Sequence, residues 1–148
     1  MVATHPDITA FTASSEVPGN LIYWTTSAQR LGDDESQRNQ MYIMGIDHQF
    51  FKTFGNKLLA GRGYSHEFTG DSSSVVLNRK AVDIFNLGNP DNAIGQQIRI
   101  GGDTLHIVGV VDNYHQEGLK QDFRPTAFIL QQNARSYFSV KMNTQRLD

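Results

Sequence analysis

The segment Gly109-Val110-Val111-Asp112-Asn113-Tyr114-His115-Gln116-Glu117-Gly118-Leu119 marks the point where one β-strand of this protein ends. Its β-branched valines are typical of a buried strand, and the Asp-Asn pair that follows is typical of a turn. The residues around this turn are open to two interpretations. Asp112 and His115 are either a proton-transfer or metal-binding pair, or they are turn and packing residues at the end of the strand.

The strand before this turn is predicted to be the second arm of a β-hairpin. Residues 98–100 alternate between apolar and polar side chains, Gly101-Gly102 suits a tight turn, and residues 105–111 form the returning strand. Short runs of similar character predict further strands elsewhere in the chain. These lie at residues 8–13, 21–24, 41–46, 75–77, 127–130 and 137–142.

An aromatic helix is predicted after the strand that ends at residue 46. Asp47 is a candidate N-cap, because its carboxylate can accept hydrogen bonds from the free N–H groups of a first helical turn. Phe50, Phe51 and Phe54 follow at helical spacing, and Gly55 suits a left-handed C-terminal stop. Three phenylalanines at this spacing are predicted to form a core face rather than a ligand site.

Two further helical segments are predicted in the second half of the chain. Asn78 is expected to cap a helix that runs to Phe85, and Asn89-Pro90 is expected to start a helical turn that ends at Gly95. Residues 32–40 are entirely polar and predict an exposed, mobile loop. The fold class that follows is α+β, with a mixed, largely antiparallel sheet and two or three short helices.

Composition excludes several classes of protein. The chain has 148 residues, which is the size of one domain. Its 13 basic and 15 acidic residues nearly cancel and are scattered, which argues against nucleic acid as a partner. There is no cysteine, so neither a disulfide framework nor a thiolate metal site is possible. No apolar run approaches the ~18 residues that cross a bilayer. Both ends are abrupt, so we expect an excised part of a larger protein.

No pattern of residues predicts catalysis, a cofactor or a metal site. The glycines around Arg62 could cradle a phosphate, but residues 64–71 are polar and irregular, whereas a phosphate loop leads directly into a helix. The serines at 72–74 lack the Gly-x-Ser-x-Gly pattern of a hydrolase. The histidines show no metal-ligand spacing, and Asp47 with His48 is predicted to be a turn or cap.

Three segments, in this order, resemble the periplasmic core domain of MacB-like or FtsX-like ABC transporter permeases. They are residues 50–65, residues 75–98 and residues 107–125; residues 14–19 also resemble this family, particularly its Bacteroidetes branch. The chain departs from the family in one motif, because relatives carry Lys-Asp-Phe-His where this chain reads Asp112-Asn113-Tyr114-His115. The residues that match the family motifs, all with expected structural roles, are Pro18, Gly19, Gly61, Arg62, Asn78, Gly95, Gly109, His115 and Pro125.

The resemblance implies a single non-catalytic periplasmic domain, residues 1–148, of a larger membrane permease. Such domains loop into the periplasm between two membrane helices and combine a porter-like part with an inserted lobe called Sabre. The first strand and residues 137–142 would belong to the porter-like part. The implied partners are the flanking membrane helices, a cytoplasmic ATPase subunit or domain and a second permease copy.

Two alternatives remain at this point. One is a small-ligand-binding or sensory ectodomain with a cleft beside Asp112, Tyr114 and His115. The other is a metal-dependent hydrolase that uses Asp112 and His115.

Overall fold

The computed structural model describes residues 5–17, 20–113, 122–131 and 136–146, which form an α+β fold. These residues contain three short α-helices: α1 (Phe50–Phe54), α2 (Arg79–Ile84) and α3 (Pro90–Ala93). They also contain nine strands: β1 (Ile8–Ser14), β2 (Thr25–Arg30), β3 (Asn39–Ile46), β4 (Leu58–Gly61), β5 (Ser74–Asn78), β6 (Gln97–Ile100), β7 (Asp103–Val111), β8 (Thr126–Leu130) and β9 (Tyr137–Met142). The predicted fold class is confirmed, because only β3–β8 and β5–β7 are parallel pairs among the described strands.

Six strands pair in a closed ring. Their order is β2, β6, β7, β5, β8 and β3, and β3 returns to β2. Ala28 in β2 closes the ring, because it pairs with Asn39 on one side and with Ile100 on the other. The remaining strands branch from this ring: β4 pairs with β7, and β1 pairs with both β3 and β9.

The ring encloses the main apolar core, to which all six of its strands contribute. Val75 and Leu77 of β5 point into this core, whereas Val76 belongs to a second cluster on the other face, together with Phe50 of α1. Burial on both faces explains why β5 is a continuous apolar run rather than an alternating one. The strand residues of the enclosed core include Ala28, Met41, Ile43, Val75, Leu77, Ile98, Ile100, Leu105, Ile107, Val110 and Ala127.

The prediction of a strand at residues 21–24 is wrong. In this stretch Ile22 is buried, but Leu21, Tyr23 and Trp24 are exposed, and the chain passes along β3 without joining the sheet as a strand. The strand begins only at Thr25. Its sequence, Thr-Thr-Ser-Ala-Gln-Arg, holds a single apolar residue, so its place in the sheet comes from its pairing with two neighbours rather than from an apolar pattern.

The predicted polar loop at residues 32–40 is shorter than expected. A 3₁₀ helix at Glu35–Gln37 interrupts it, and Asp34 and Gln37 form a capping box at the start of that helix. β3 then begins at Asn39, two residues before the apolar run, because its first part is exposed and pairs with β2.

The predicted hairpin and the first helix are confirmed, with corrections at helix ends. Gly101 in the turn has a φ of 61°, and Gly55 after α1 has a φ of 68°. The N-cap of α1 is Gln49 rather than Asp47. In the same way α3 ends at Ala93 with Ile94 as its C-cap, so Gly95 lies just beyond the helix, with a φ of 85°.

Asn78 joins the start of α2 to the start of β8. Its buried side-chain oxygen accepts hydrogen bonds from the N–H groups of Ala81 and Thr126, both at 3.0 Å. Its side-chain nitrogen donates to the carbonyl oxygen of Arg124 at 2.7 Å. The predicted helix cap is therefore confirmed, but the same side chain also fixes a segment 46 or more residues away in the chain.

We expect Asn78→Ala to lower the free energy of unfolding by about 2–4 kcal/mol, because it removes a helix cap and leaves two buried backbone groups without partners. Asn89→Ala is the matched control. Asn89 caps α3 through a 2.8 Å bond to the Asn92 N–H at an exposed position, and its loss should cost about 1 kcal/mol. Urea unfolding measures both; equal losses would contradict the role given to Asn78.

Two glycines allow the chain after β4 to approach β7 closely. A Cβ atom on Gly109 would overlap the carbonyl oxygen of Arg62, and one on Gly61 would overlap the carbonyl oxygen of Val108. The Arg62 N–H donates to that same Val108 oxygen at 2.9 Å. The close approach thus brings Arg62 to the surface of the sheet.

Gly109→Ala is expected to destabilise the fold by at least about 2 kcal/mol, because the atoms it would meet belong to the backbone and cannot rotate away. Gly102→Ala is the control, since a Cβ there meets no atom within 4 Å, and it should change stability by less than about 1 kcal/mol. Thermal unfolding of the two variants should separate them clearly.

Candidate functional site

The structure places the Asp-Asn turn after β7 against a helix. The exposed Asp112 accepts a hydrogen bond from the Asn113 N–H at 2.9 Å, and the Asn113 side-chain oxygen accepts one from the Lys80 N–H at 2.8 Å. Asn113 therefore satisfies a free amide at the start of α2, beside the amide that Asn78 satisfies. Tyr114 and His115 lie outside the described residues, so the ligand cleft and the Asp112–His115 pair are predictions that no described contact supports.

Two further residues with expected structural roles, Pro125 and Gly95, lie just before β8 and β6. Pro125 is buried, and its carbonyl oxygen accepts a hydrogen bond from the Tyr42 N–H at 2.9 Å, directly before β8 pairs with β3. The Gly95 N–H donates to the Ile107 carbonyl at 2.9 Å. Pro18 and Gly19 lie outside the described residues.

Asp47 ties β1 to the turn before α1. Its carboxylate accepts hydrogen bonds from the Thr12 hydroxyl, from the Ala13 N–H at 2.7 Å and from the Gln49 N–H at 3.0 Å. The turn role predicted for Asp47 therefore holds, although most of its bonds go to a strand rather than to the helix.

Arg62 and Asp71 form an ion pair that organises the segment after β4. The two guanidinium N–H groups of Arg62 lie 2.7 and 3.2 Å from the carboxylate oxygens of Asp71, and the Ser65 N–H donates to the same carboxylate at 3.1 Å. The Arg62 guanidinium also covers the ring of Phe68, 3.7 Å from its centroid. The guanidinium of Arg62 is thus engaged by Asp71 and Phe68.

The electrostatics of Asp71 follow from this pair. Only 3% of the residue is exposed. Burial by itself raises the pKa of the carboxyl, but the hydrogen bonds from Arg62 and Ser65 and the charge of Arg62 outweigh burial and hold the pKa below its usual value. Asp71 is therefore ionised at neutral pH.

Tyr64 fastens the same segment to the core. Its hydroxyl lies 2.7 Å from the carbonyl oxygen of Phe128 in β8 and 3.2 Å from that of Ser74 in β5. Burial raises the pKa of this hydroxyl, so it remains a protonated donor. The chain from Tyr64 to Phe68 is irregular, as predicted, but the sequence did not indicate that Tyr64 and Asp71 are buried.

Two histidines meet beside this ion pair. The rings of His48, in the turn before α1, and His66 stack with centroids 3.6 Å apart and an angle of 23° between their planes. The pKa of His48 is lowered, first by burial and then by the neighbouring ring of His66. The carboxylates of Asp71 and Asp47 act in the opposite direction but do not outweigh these two effects. A cavity of about 470 Å³ beside the rings is lined by His48, His66, Phe68, Thr69, Asp71, Ser72 and Leu130.

The sequence did not reveal this cluster. His48 and His66 are too far apart in the chain for any metal-ligand spacing, and Asp71 lies in a run of small polar residues. The one local signal was the pair of glycines around Arg62, which marks a close backbone approach. In the ranges that the structure describes, no group of three or more His, Cys, Asp or Glu side chains is arranged to hold a metal ion.

Comparison with known proteins connects this fold to one family. Residues 3–146 match the family described as MacB-like periplasmic core domain. The chain belongs to this family. None of the helices in its described part is both long and apolar enough to cross a bilayer.

Curated relatives of this MacB-like periplasmic core domain are much longer proteins. It is 27% identical over 78 residues to the macrolide export ATP-binding/permease protein MacB of Bartonella quintana and 32% identical over 87 residues to that of Rhodopseudomonas palustris. These alignments cover 52% and 58% of this chain, but only 12% and 13% of the relatives. The matched part is therefore a small fraction of a whole exporter.

Solved structures show the same fold at low sequence identity. The periplasmic region of MacB from Actinobacillus actinomycetemcomitans superposes with a TM-score of 0.65 at 15% identity, covering 96% of this chain and 61% of that one. The extracellular domain of the noncanonic ABC-type transporter YknZ from Gram-positive bacteria gives a TM-score of 0.64 at 13% identity, covering 96% and 69%.

Asp71→Asn should lower the free energy of unfolding by about 1–3 kcal/mol at pH 7, because a partly buried Arg62 loses its counter-charge. Since the folded-state pKa of Asp71 lies below the unfolded value of 3.8, its contribution is present above pH 3.8 and is lost as the pH falls below that value. The variant should therefore show a flatter decline of stability in acid.

The control for this prediction is Glu35→Gln. Glu35 pairs with Arg38 at 3.0 Å but is 81% exposed, so its loss should change stability by less than about 0.5 kcal/mol. Urea titrations from pH 7 to pH 2.5 measure both variants. A wild-type acid response in Asp71→Asn would show that the ion pair contributes nothing.

Proposed function

We propose that this domain is the extracytoplasmic part of an ABC permease and that it relays ATP-driven motion from a cytoplasmic ATPase to a substrate outside the inner membrane, without catalysing a reaction itself. The observation that carries the proposal is the family match over residues 3–146, together with a fold shared over 96% of the chain with periplasmic and extracellular domains of such transporters. The bound substrate, the ATPase and a second permease copy are its proposed partners.

The position of the two outer strands supports insertion between membrane helices. β1 and β9 pair from Ile8–Met142 to Ser14–Tyr137, and beside them the Asn143 N–H donates to the Asp7 carbonyl at 2.8 Å. The first and last described parts of the chain therefore run side by side. A domain with adjacent entry and exit points can be inserted in a loop between two consecutive membrane helices without distortion.

The contacts between these outer strands and the ring support a role in transmitting motion. β1 joins the ring through Ser14–Ile46, through the Ser15 N–H bond to Gly45 and through the Asp47 carboxylate. We assign β1 and β9 to the porter-like part and the ring of six strands to the inserted Sabre-like lobe. A displacement of the outer strands would then be transmitted to the closed, tightly packed ring, and the ring would move as a rigid body.

The hydrogen bonds and ion pairs made by four polar side chains support the proposal that the domain itself catalyses no reaction. Arg62, Asp71, Asp47 and Asn78 each bind backbone or side-chain groups of the fold, and these bonds account for their positions. This use of charged and polar side chains to hold the fold fits a domain that moves rather than catalyses.

The test uses the full-length permease with one introduced cysteine. This domain contains no cysteine, so Asp103→Cys, at the exposed start of β7, provides a single thiol within it. A membrane-impermeant maleimide should label that thiol in intact spheroplasts, and the parent protein without the substitution is the control. Labelling only after lysis would place the domain inside and refute the proposal.

The same protein tests the relay of motion. Replacing residues 8–142 with a flexible linker should leave ATP hydrolysis by the purified permease within a few-fold of the parent and abolish ATP-dependent export in vesicles. Export at the parental rate without the domain would show that it relays nothing.

A further inference from the structure

The stacked His48–His66 pair joins two parts of the chain that the sheet does not hold together. His48 lies in the turn that leads into α1, and His66 lies in the segment between β4 and β5. Tyr64 and Asp71 anchor that segment on either side of His66, through the carbonyl of Phe128 and through Arg62. His66 itself is exposed, so the ring contact with His48 is what holds the middle of the segment against α1.

The charged groups around the pair can balance one positive charge but not two. Asp47 and Asp71 are the carboxylates that act on His48. Both are already engaged: Asp71 faces the full charge of Arg62, and Asp47 accepts hydrogen bonds from β1 and from Gln49. The remaining charged side chains nearest in sequence, Lys52 of α1 and Glu67, are exposed to water, which screens them.

We propose that His48 and His66 form a proton-sensitive latch, which holds residues 65–70 against the turn before α1 while the rings are neutral and releases them when both rings are charged. Two imidazolium rings at a stacking distance of 3.6 Å repel each other, and the attraction of Asp47 and Asp71 for a charged His48 is weaker than the combined effect of burial and His66. The inference does not depend on the transport role, because it concerns only contacts within this domain.

The direction of the pKa shift of His48 is the one expected if protonation weakens the latch. Its pKa in the folded protein is lowered from 6.5, first by burial and then by His66. The unfolded or released state therefore binds a proton more readily than the latched state. Stability from the latch is present above pH 6.5 and is lost as the pH falls below that value.

Release should be local. The Tyr64 hydroxyl and the Asp71 carboxylate do not titrate in this range, because the pKa of the hydroxyl is raised and that of the carboxyl is lowered. The anchors stay in place while the part of the segment around Phe68, a half-exposed side chain that lines the cavity, moves away from His48. Acid would thus open the cavity of about 470 Å³ without unfolding the ring.

Amide hydrogen exchange, with EDTA present throughout, tests the latch. The reporting groups are the N–H groups of Glu67 and Phe68, which donate to the side chain and carbonyl of Ser65. After correction for intrinsic rates, their protection in the wild type should fall by about an order of magnitude between pH 7.5 and pH 5.5, because two like charges at this separation repel each other even in water. In His66→Phe, which keeps a stacking ring but cannot bind a proton, the fall should be clearly smaller than in the wild type, because only the burial of His48 then opposes its protonation.

Two further variants separate loss of the ring contact from loss of the charge and control for the substitution itself. His66→Gln removes both ring and charge and should leave the segment released at both pH values, whereas His106→Phe, on β7, should behave like the wild type. NMR titration should show the His48 midpoint rising in His66→Phe, because burial remains but the neighbouring charge is gone. Equal acid responses in wild type and His66→Phe, or full protection of the wild type at pH 5.5, would overturn the proposal.

Discussion

The three hydrogen bonds of Asn78 are the contact on which the rest of the structure depends. They fix the start of α2 and the entry into β8 from a single buried carboxamide at the end of β5. β8 in turn lies between β5 and β3 in the ring, and its Phe128 carbonyl receives the Tyr64 hydroxyl. Because Tyr64 positions the segment that carries His66 and Asp71, the geometry of the candidate site follows from the cap at Asn78.

Closure of the ring explains why the fold tolerates a strand as polar as β2. If the sheet were open at β2, one edge of Thr25–Arg30 would be exposed to water, and a strand with a single apolar side chain would be held by one neighbour only. In the ring, β2 is paired on both edges, and Ala28 is the small residue at the closing point. The closed ring would also suit the relay of motion that we propose, since its core cannot deform without breaking strand pairs.

Local chemistry was sufficient to predict much of the fold. The Gly101-Gly102 turn, the cap at Asn78, the Asn89-Pro90 helix start and the stop at Gly55 each depend on residues within a few positions of one another, and the structure contains all four. The prediction failed at residues 21–24, where aromatic residues give a sequence pattern typical of a strand although their side chains are exposed. It also missed the strand at residues 25–30. Whether such a segment forms a strand depends on the strands that pair with it, and partners distant in sequence leave no local pattern.

By itself, the sequence determined the α+β class, most of the strand and helix positions and, through its ordered motifs, the family. These features depend on side-chain periodicity, on turn and cap chemistry and on residues that stand in a fixed order. Only the tertiary structure decided which polar residues meet. Arg62 with Asp71 and His48 with His66 are 9 and 18 residues apart. The close approach at Gly61 and Gly109, the anchor at Tyr64 and the closure of the sheet bring them together, and these are long-range contacts that no local pattern of residues encodes.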